Sequence, residues 1–122
     1  MSLLKNELQQ TGDFAGQLVK ILERFYEKMS RDTMIGFFFQ NKDLTHIINQ
    51  QRDLLSMVMG TGKKYGGKPV SQAHLELPPI LAGHFHRRLV LLAETLKEFN
   101  LSDQATSEWL DFEKQFEKVI VK

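Results

Sequence analysis

Apolar residues recur every three to four positions through most of the chain, the spacing that stacks side chains along one face of an α-helix. Phe14, Leu18, Ile21, Leu22, Phe25 and Met29 form one such row, flanked by a second through Ala15, Val19, Leu22 and Tyr26. Ser30 and Asp32 stand where a side-chain oxygen can cap a short segment ending in the run Phe37-Phe38-Phe39. Asn41 and Asp43 offer starts for a helix carrying Ile47, Ile48, Gln51, Leu54, Leu55, Val58 and Met59. Gly60, Gly62, Gly66 and Gly67 then break the pattern, and Lys63, Lys64 and Lys68 keep that stretch in water, so a long loop is predicted. Val70 to Glu76 has room for one or two helical turns before Pro78-Pro79, and Pro79 suits the first position of a following helix. That helix carries Leu81, Phe85, Leu89, Leu92 and Leu96 and closes at Asn100. Ser102 or Asp103 caps the last helix, whose buried face runs through Ala105, Trp109, Phe112, Phe116 and Ile120. No window alternates with the strand period. The expectation is one all-α domain over residues 1–122.

Composition narrows the chemistry. With 16 basic and 15 acidic residues among 122, the net charge of +1 gives no electrostatic case for nucleic acid or an anionic membrane. The absence of cysteine excludes disulfides, thiolate metal sites and cysteine nucleophiles. No apolar stretch approaches the roughly 18 residues of a membrane span, and MSLLKNELQQ lacks a signal-peptide core, so a soluble cytoplasmic protein is expected. Nine phenylalanines are many for this length, enough to line a large flat ligand.

Three polar residues sit badly on the apolar rows. Gln51 falls in the middle of its stripe, where an unpartnered amide costs about 1–3 kcal/mol. Tyr26 lies on an inward row, so its hydroxyl needs a partner, and His74 occupies a brief segment between a glycine-rich loop and a diproline. Each has an ordinary explanation: a glutamine bonded to nearby backbone, a core tyrosine reaching the surface, a structural or exposed histidine. Other signals are weaker. Gly62 to Lys68 fits the spacing of a phosphate loop, but it follows a helix and Pro69 replaces the magnesium-binding hydroxyl. His84 and His86 point apart on a helix, which makes a poor joint metal site. The charges of Glu108 to Lys118 read as the solvated side of the last helix.

Taken in order, several pieces together resemble the truncated haemoglobins, short globins with a two-on-two α-helical sandwich around haem. The pieces are Phe25-Tyr26, Phe37-Phe38-Phe39, Gln51 before Leu54-Leu55, Gly60-Thr61-Gly62 with Tyr65 and Gly67, then His74 and Phe85. They run from about Leu18 to Leu96. The resemblance implies His74 as the proximal iron ligand, Tyr26 as the distal tyrosine, Phe39 stacked on the porphyrin and Gln51 as the second distal polar residue. Ile47 falls where many globins carry a distal histidine. Tyr26 with Gln51 looks like the group I pattern, whereas Leu75-Glu76-Leu77-Pro78-Pro79 looks more like group III. Phe14-Ala15 replaces the double glycine common before the second helix. Arg88 stands where the family puts Val or Trp: either its helix is turned, or Arg88 reaches past the haem edge to a propionate or to solvent. The apolar stripe places Phe85 and Leu89 at the pocket.

Haem is a broad apolar plate with two carboxylates and needs apolar walls and an axial nitrogen. Phe25, Phe39, Ile47, Leu54, Leu55, Tyr65, Val70, Phe85 and Leu89 are the expected lining of a haem b site. The resemblance further implies binding of O2, NO and CO, for oxygen binding or transport or for nitric oxide detoxification with electrons from a separate reductase. Two rival expectations remain. One is a haem-free helical interaction module. The other is a peroxidase-type haem enzyme, which needs a distal acid–base residue that Ile47 does not offer.

Overall fold

The computed structural model describes residues 1–61, 66 and 77–122. Among the described residues, six α-helices and one 3-10 turn follow in order: α1 (Ser2–Gln9), α2 (Phe14–Arg31), the turn Gly36–Phe39, α3 (Leu44–Val58), α4 (Ala82–Glu98), α5 (Asp103–Lys114) and α6 (Glu117–Ile120). Helix α2 packs on α3 and on α4, while α4 packs on α5. Strands are absent among the described residues, and the one β-bridge is an isolated parallel pairing of Ile80 with Val121. No helix among these residues is long and apolar enough to cross a membrane.

Local chemistry sets most boundaries. The Asp13 carboxylate accepts from the Gly16 N–H at 3.0 Å and starts α2, and Asp43 accepts from the His46 N–H at 3.1 Å and starts α3. Asp32 accepts from the Met34 and Ile35 N–H groups and shapes the turn into the Phe37-Phe38-Phe39 run. Ser30 plays no part there, because its hydroxyl donates back to the Glu27 carbonyl. The turn passes so near α2 that a Cβ on Gly36 would lie 2.8 Å from the Ser30 carbonyl oxygen, so only glycine fits. Asn100 adopts φ 60° just past the end of α4, a left-handed conformation that asparagine tolerates.

Ser102 caps α5 by accepting from the Ala105 N–H, and its own N–H and hydroxyl donate to Glu7 on α1. Ser102→Ala should therefore lower stability by about 1–2 kcal/mol, read as a lower urea midpoint at unchanged slope.

Three expectations are corrected. Helix α1, with Leu4 and Leu8 fully buried, was not foreseen; Glu108 on α5 caps it by accepting from the Leu3 and Leu4 N–H groups. Helix α4 begins at Ala82 rather than at Pro79, because Ile80 is drawn into its bridge with Val121 and Lys122 donates to the Ile80 carbonyl at 2.9 Å. The last helix is split: Gln115 and Phe116 donate to the carbonyls three residues back, and α6 starts anew at Glu117.

The core lies between α1, α2, α3, α4 and α5, with Leu18, Ile21, Leu92, Leu96 and Trp109 fully buried. The break after α5 leaves Phe116 and Ile120 on the wall of a cavity.

Candidate functional site

A cavity of about 260 Å³ opens between α2, α3, α4 and the chain around α5 and α6. Phe39, Ile47, Leu54, Ile80, Phe85 and Phe112 give it apolar walls. Tyr26, Gln51, Arg88 and Glu113 bring polar groups to the same space, and Lys42 and His84 stand at its edges. The ring of Tyr26 meets Phe39 edge-on, 5.7 Å between centroids at 87°. Phe38 packs against His84 at 5.1 Å, and the His84 Nδ1 accepts from the Leu81 N–H at 3.0 Å, capping α4.

Tyr26, Phe39, Ile47, Gln51, Leu54 and Phe85 all line this one cavity. Phe25 lies one layer behind it, packed against Tyr26 at 5.5 Å and under the Arg88 guanidinium at 5.0 Å. Leu55 is fully buried in the core and does not reach the cavity. Leu89 is also off the wall: from Phe85, the next inward position on α4 is three residues along, and Arg88 takes it. Tyr65, Val70 and His74 lie outside the described residues.

Arg88 points into the cavity wall rather than out past an edge. Its Nε donates to Glu113 Oε2 at 3.2 Å and its Nη2 to Oε1 at 3.4 Å, while Nη1 meets the Met29 sulfur at 3.6 Å. Glu113 is buried and also accepts from the Trp109 indole N–H at 3.3 Å. It therefore leaves the solvated face to which the charges of Glu108 to Lys118 were assigned. Glu113, His84 and Lys42 are not among the site residues read from the sequence, and Arg88 is read there only as a departure from the family pattern. The signal for Arg88 and Glu113 was present: a base in phase with Phe85 and Leu92, and an acid one turn after Trp109.

The electrostatics follow from burial. Desolvation, the largest effect, pushes the Tyr26 phenol above its usual pKa, and the charge and hydrogen bonding of Arg88 oppose it. Burial works against the Arg88 cation too. The Glu113 carboxylate and Tyr26 outweigh that penalty and hold the guanidinium pKa above its ordinary range, so the cation is permanent.

The site thus combines a broad apolar slot with one polar patch. It suits a flat, largely apolar group that leaves room for a small polar ligand against Tyr26, Gln51 and Arg88. Among the described residues no cluster of three or more His, Asp or Glu could hold a metal ion by itself.

Comparison with known proteins decides the family. The chain matches the family described as "Bacterial-like globin" over residues 12–122. This protein is a bacterial-like globin. It is 36% identical over 84 residues to the "Group 1 truncated hemoglobin" of Tetrahymena thermophila, 69% of each chain, and 29% identical over 90 residues to that of Synechocystis. Its backbone matches the crystal structure of truncated hemoglobin from Tetrahymena pyriformis in the Fe(III) form with a TM-score of 0.78 at 30% identity. That alignment covers 85% of this globin and 88% of the other chain. The fold is the two-on-two sandwich of the truncated globins, and a group I-like assignment fits these relatives.

Proposed function

We propose that this globin holds haem b in the cavity between α2, α3 and α4, with His74 as the axial ligand, and binds diatomic gases beside Tyr26 and Gln51. The observation that carries the reading is the convergence of two aromatic walls and two polar side chains on one cavity: Phe39 and Phe85 with Tyr26 and Gln51. Relatives that share the fold support it, since the Tetrahymena pyriformis protein is an iron-containing truncated hemoglobin.

Bound haem supplies an iron that takes O2, NO or CO, and oxidation of nitric oxide there draws on an electron-donating reductase. The chain does the rest. Phe39, Leu54 and Phe85 exclude water from the slot, which strengthens every polar contact inside it. Tyr26 donates its O–H to a ligand entering the polar patch, and the Gln51 amide can donate alongside while its carbonyl accepts. Ile47 lines the cavity but offers no acid or base, which favours gas binding over peroxidase chemistry. Lys42 at the rim presents a cation suited to a carboxylate.

A hemin titration of the purified chain tests the proposal. A Soret band that saturates at one haem per chain is the expected result. No band at any ratio leaves the haem-free interaction module as the correct reading.

A further inference from the structure

Arg88 and Glu113 have no part in the scheme just given, although both line the cavity. The geometry of the pair is directional. Glu113 takes the Nε edge of the guanidinium, and its two oxygens already accept three donors, from Arg88 Nε, Arg88 Nη2 and Trp109 Nε1. Its charge is thus held against the protein side. Of the five guanidinium N–H bonds, these contacts and the Met29 sulfur use three. The remaining hydrogens lie at the Nη end, and the guanidinium carbon stands over the Tyr26 ring, 5.9 Å from its centre.

A guanidinium has no acceptor. Beside Tyr26 it can therefore only donate, and the phenol proton stays available to another acceptor. The cavity is the open direction, because the rest of Tyr26 is buried against Phe25 and Phe39. Arg88 and Tyr26 together present only protons to the ligand space. A surface of donors backed by a permanent buried cation favours a negatively charged ligand over a neutral one.

We propose that Arg88 is a specificity-determining residue of this cavity: with Tyr26 it makes the ligand space selective for small inorganic anions that coordinate ferric iron, over neutral carbon monoxide. The proposal rests on the haem reading above. It differs from the oxygen-binding role of Tyr26 and Gln51 because it assigns the selectivity to a charge from α4, countered by α5.

The experiment uses the full chain reconstituted with hemin, with azide as the probe for the ferric form and carbon monoxide for the ferrous form. The paired variant Arg88→Met with Glu113→Gln removes the cation without stranding a carboxylate. It should weaken azide binding about tenfold or more, with carbon monoxide affinity changed less than twofold. Arg88→Lys should recover part of the loss. Glu113→Gln alone keeps the cation and deletes its counter-charge, so azide should bind more tightly than in the parent. The carbonyl stretch of the ferrous complex should rise in wavenumber when Arg88 is removed, as a positive field is lost. Azide affinity within twofold of the parent in both the paired variant and Glu113→Gln overturns the proposal while leaving haem binding intact. Equal weakening of azide and carbon monoxide overturns it as well, since that marks a general disturbance of the pocket. A parent protein that takes up no haem overturns this proposal and the haem reading together.

Discussion

Tyr26→Phe is expected to speed oxygen release by about tenfold or more, measured by stopped flow on the reconstituted ferrous protein. The phenol ring is 3% exposed and packed between Phe25 and Phe39, so replacing it by phenylalanine removes the hydroxyl and little else. A hydrogen bond to a polarised acceptor in a dry pocket contributes about 1.5–3 kcal/mol, which corresponds to roughly 10- to 100-fold in a dissociation constant. The lower end applies because Arg88 still offers donors in the same space. Gln51→Ala should have a smaller effect, and the two changes combined should not be additive, as expected of residues sharing one ligand. Release within a factor of two of the parent removes Tyr26 from the role of donor.

Glu113→Ala should be the most destabilising single change among the residues of the cavity, by about 3 kcal/mol in urea unfolding. Deleting the carboxylate strands the Arg88 cation, whose side chain keeps 22% of its accessible surface, and it leaves the Trp109 indole N–H without its acceptor. Partial access to water keeps the cost at the lower end of the range for broken buried pairs. Replacing both partners by apolar residues, Arg88→Met with Glu113→Leu, should cost much less than Glu113→Ala, because no charge is then left behind. A double variant as unstable as Glu113→Ala contradicts the assignment of the loss to a stranded cation.

The parts of this fold legible in the sequence are those written in local spacing. Helices α2 and α3 follow from rows of apolar residues, with Asp43 among the starts offered for α3, and the end of α4 follows from Asn100. Helix α1 is different. It has only Leu4 and Leu8 on its buried face, too few to establish a period, and its cap comes from Glu108 on α5. The start of α4 is decided in the same distant way, by pairing of Ile80 with Val121, which overrides the preference of Pro79 for a first helical position. Long-range contacts of this kind leave no trace in a window of neighbouring residues.

The cavity shows the same division. Tyr26 and Gln51 are readable because a neutral polar group on an apolar row must find a partner inside. Arg88 carries the same signal more strongly, yet a charge on an amphipathic helix ordinarily reaches water. What turns it inward is Glu113, an acid on another helix, with Trp109 and Met29 completing the contacts. Neither residue is interpretable without the other. The apolar stripe puts Leu89 one turn after Phe85 at the wall, whereas in the structure Arg88, three residues after Phe85, lines the cavity and Leu89 does not.

The central claim is that His74 ties haem into this cavity. Absorption spectra of the ferric, ferrous and carbonyl forms of the hemin-reconstituted protein, recorded beside those of His74→Gly with and without added imidazole, test it most directly. The account predicts a Soret band in the parent in all three forms, its loss or marked displacement in His74→Gly, and recovery of the parent spectrum when imidazole fills the space left by the side chain. Identical spectra for the parent and His74→Gly would contradict it.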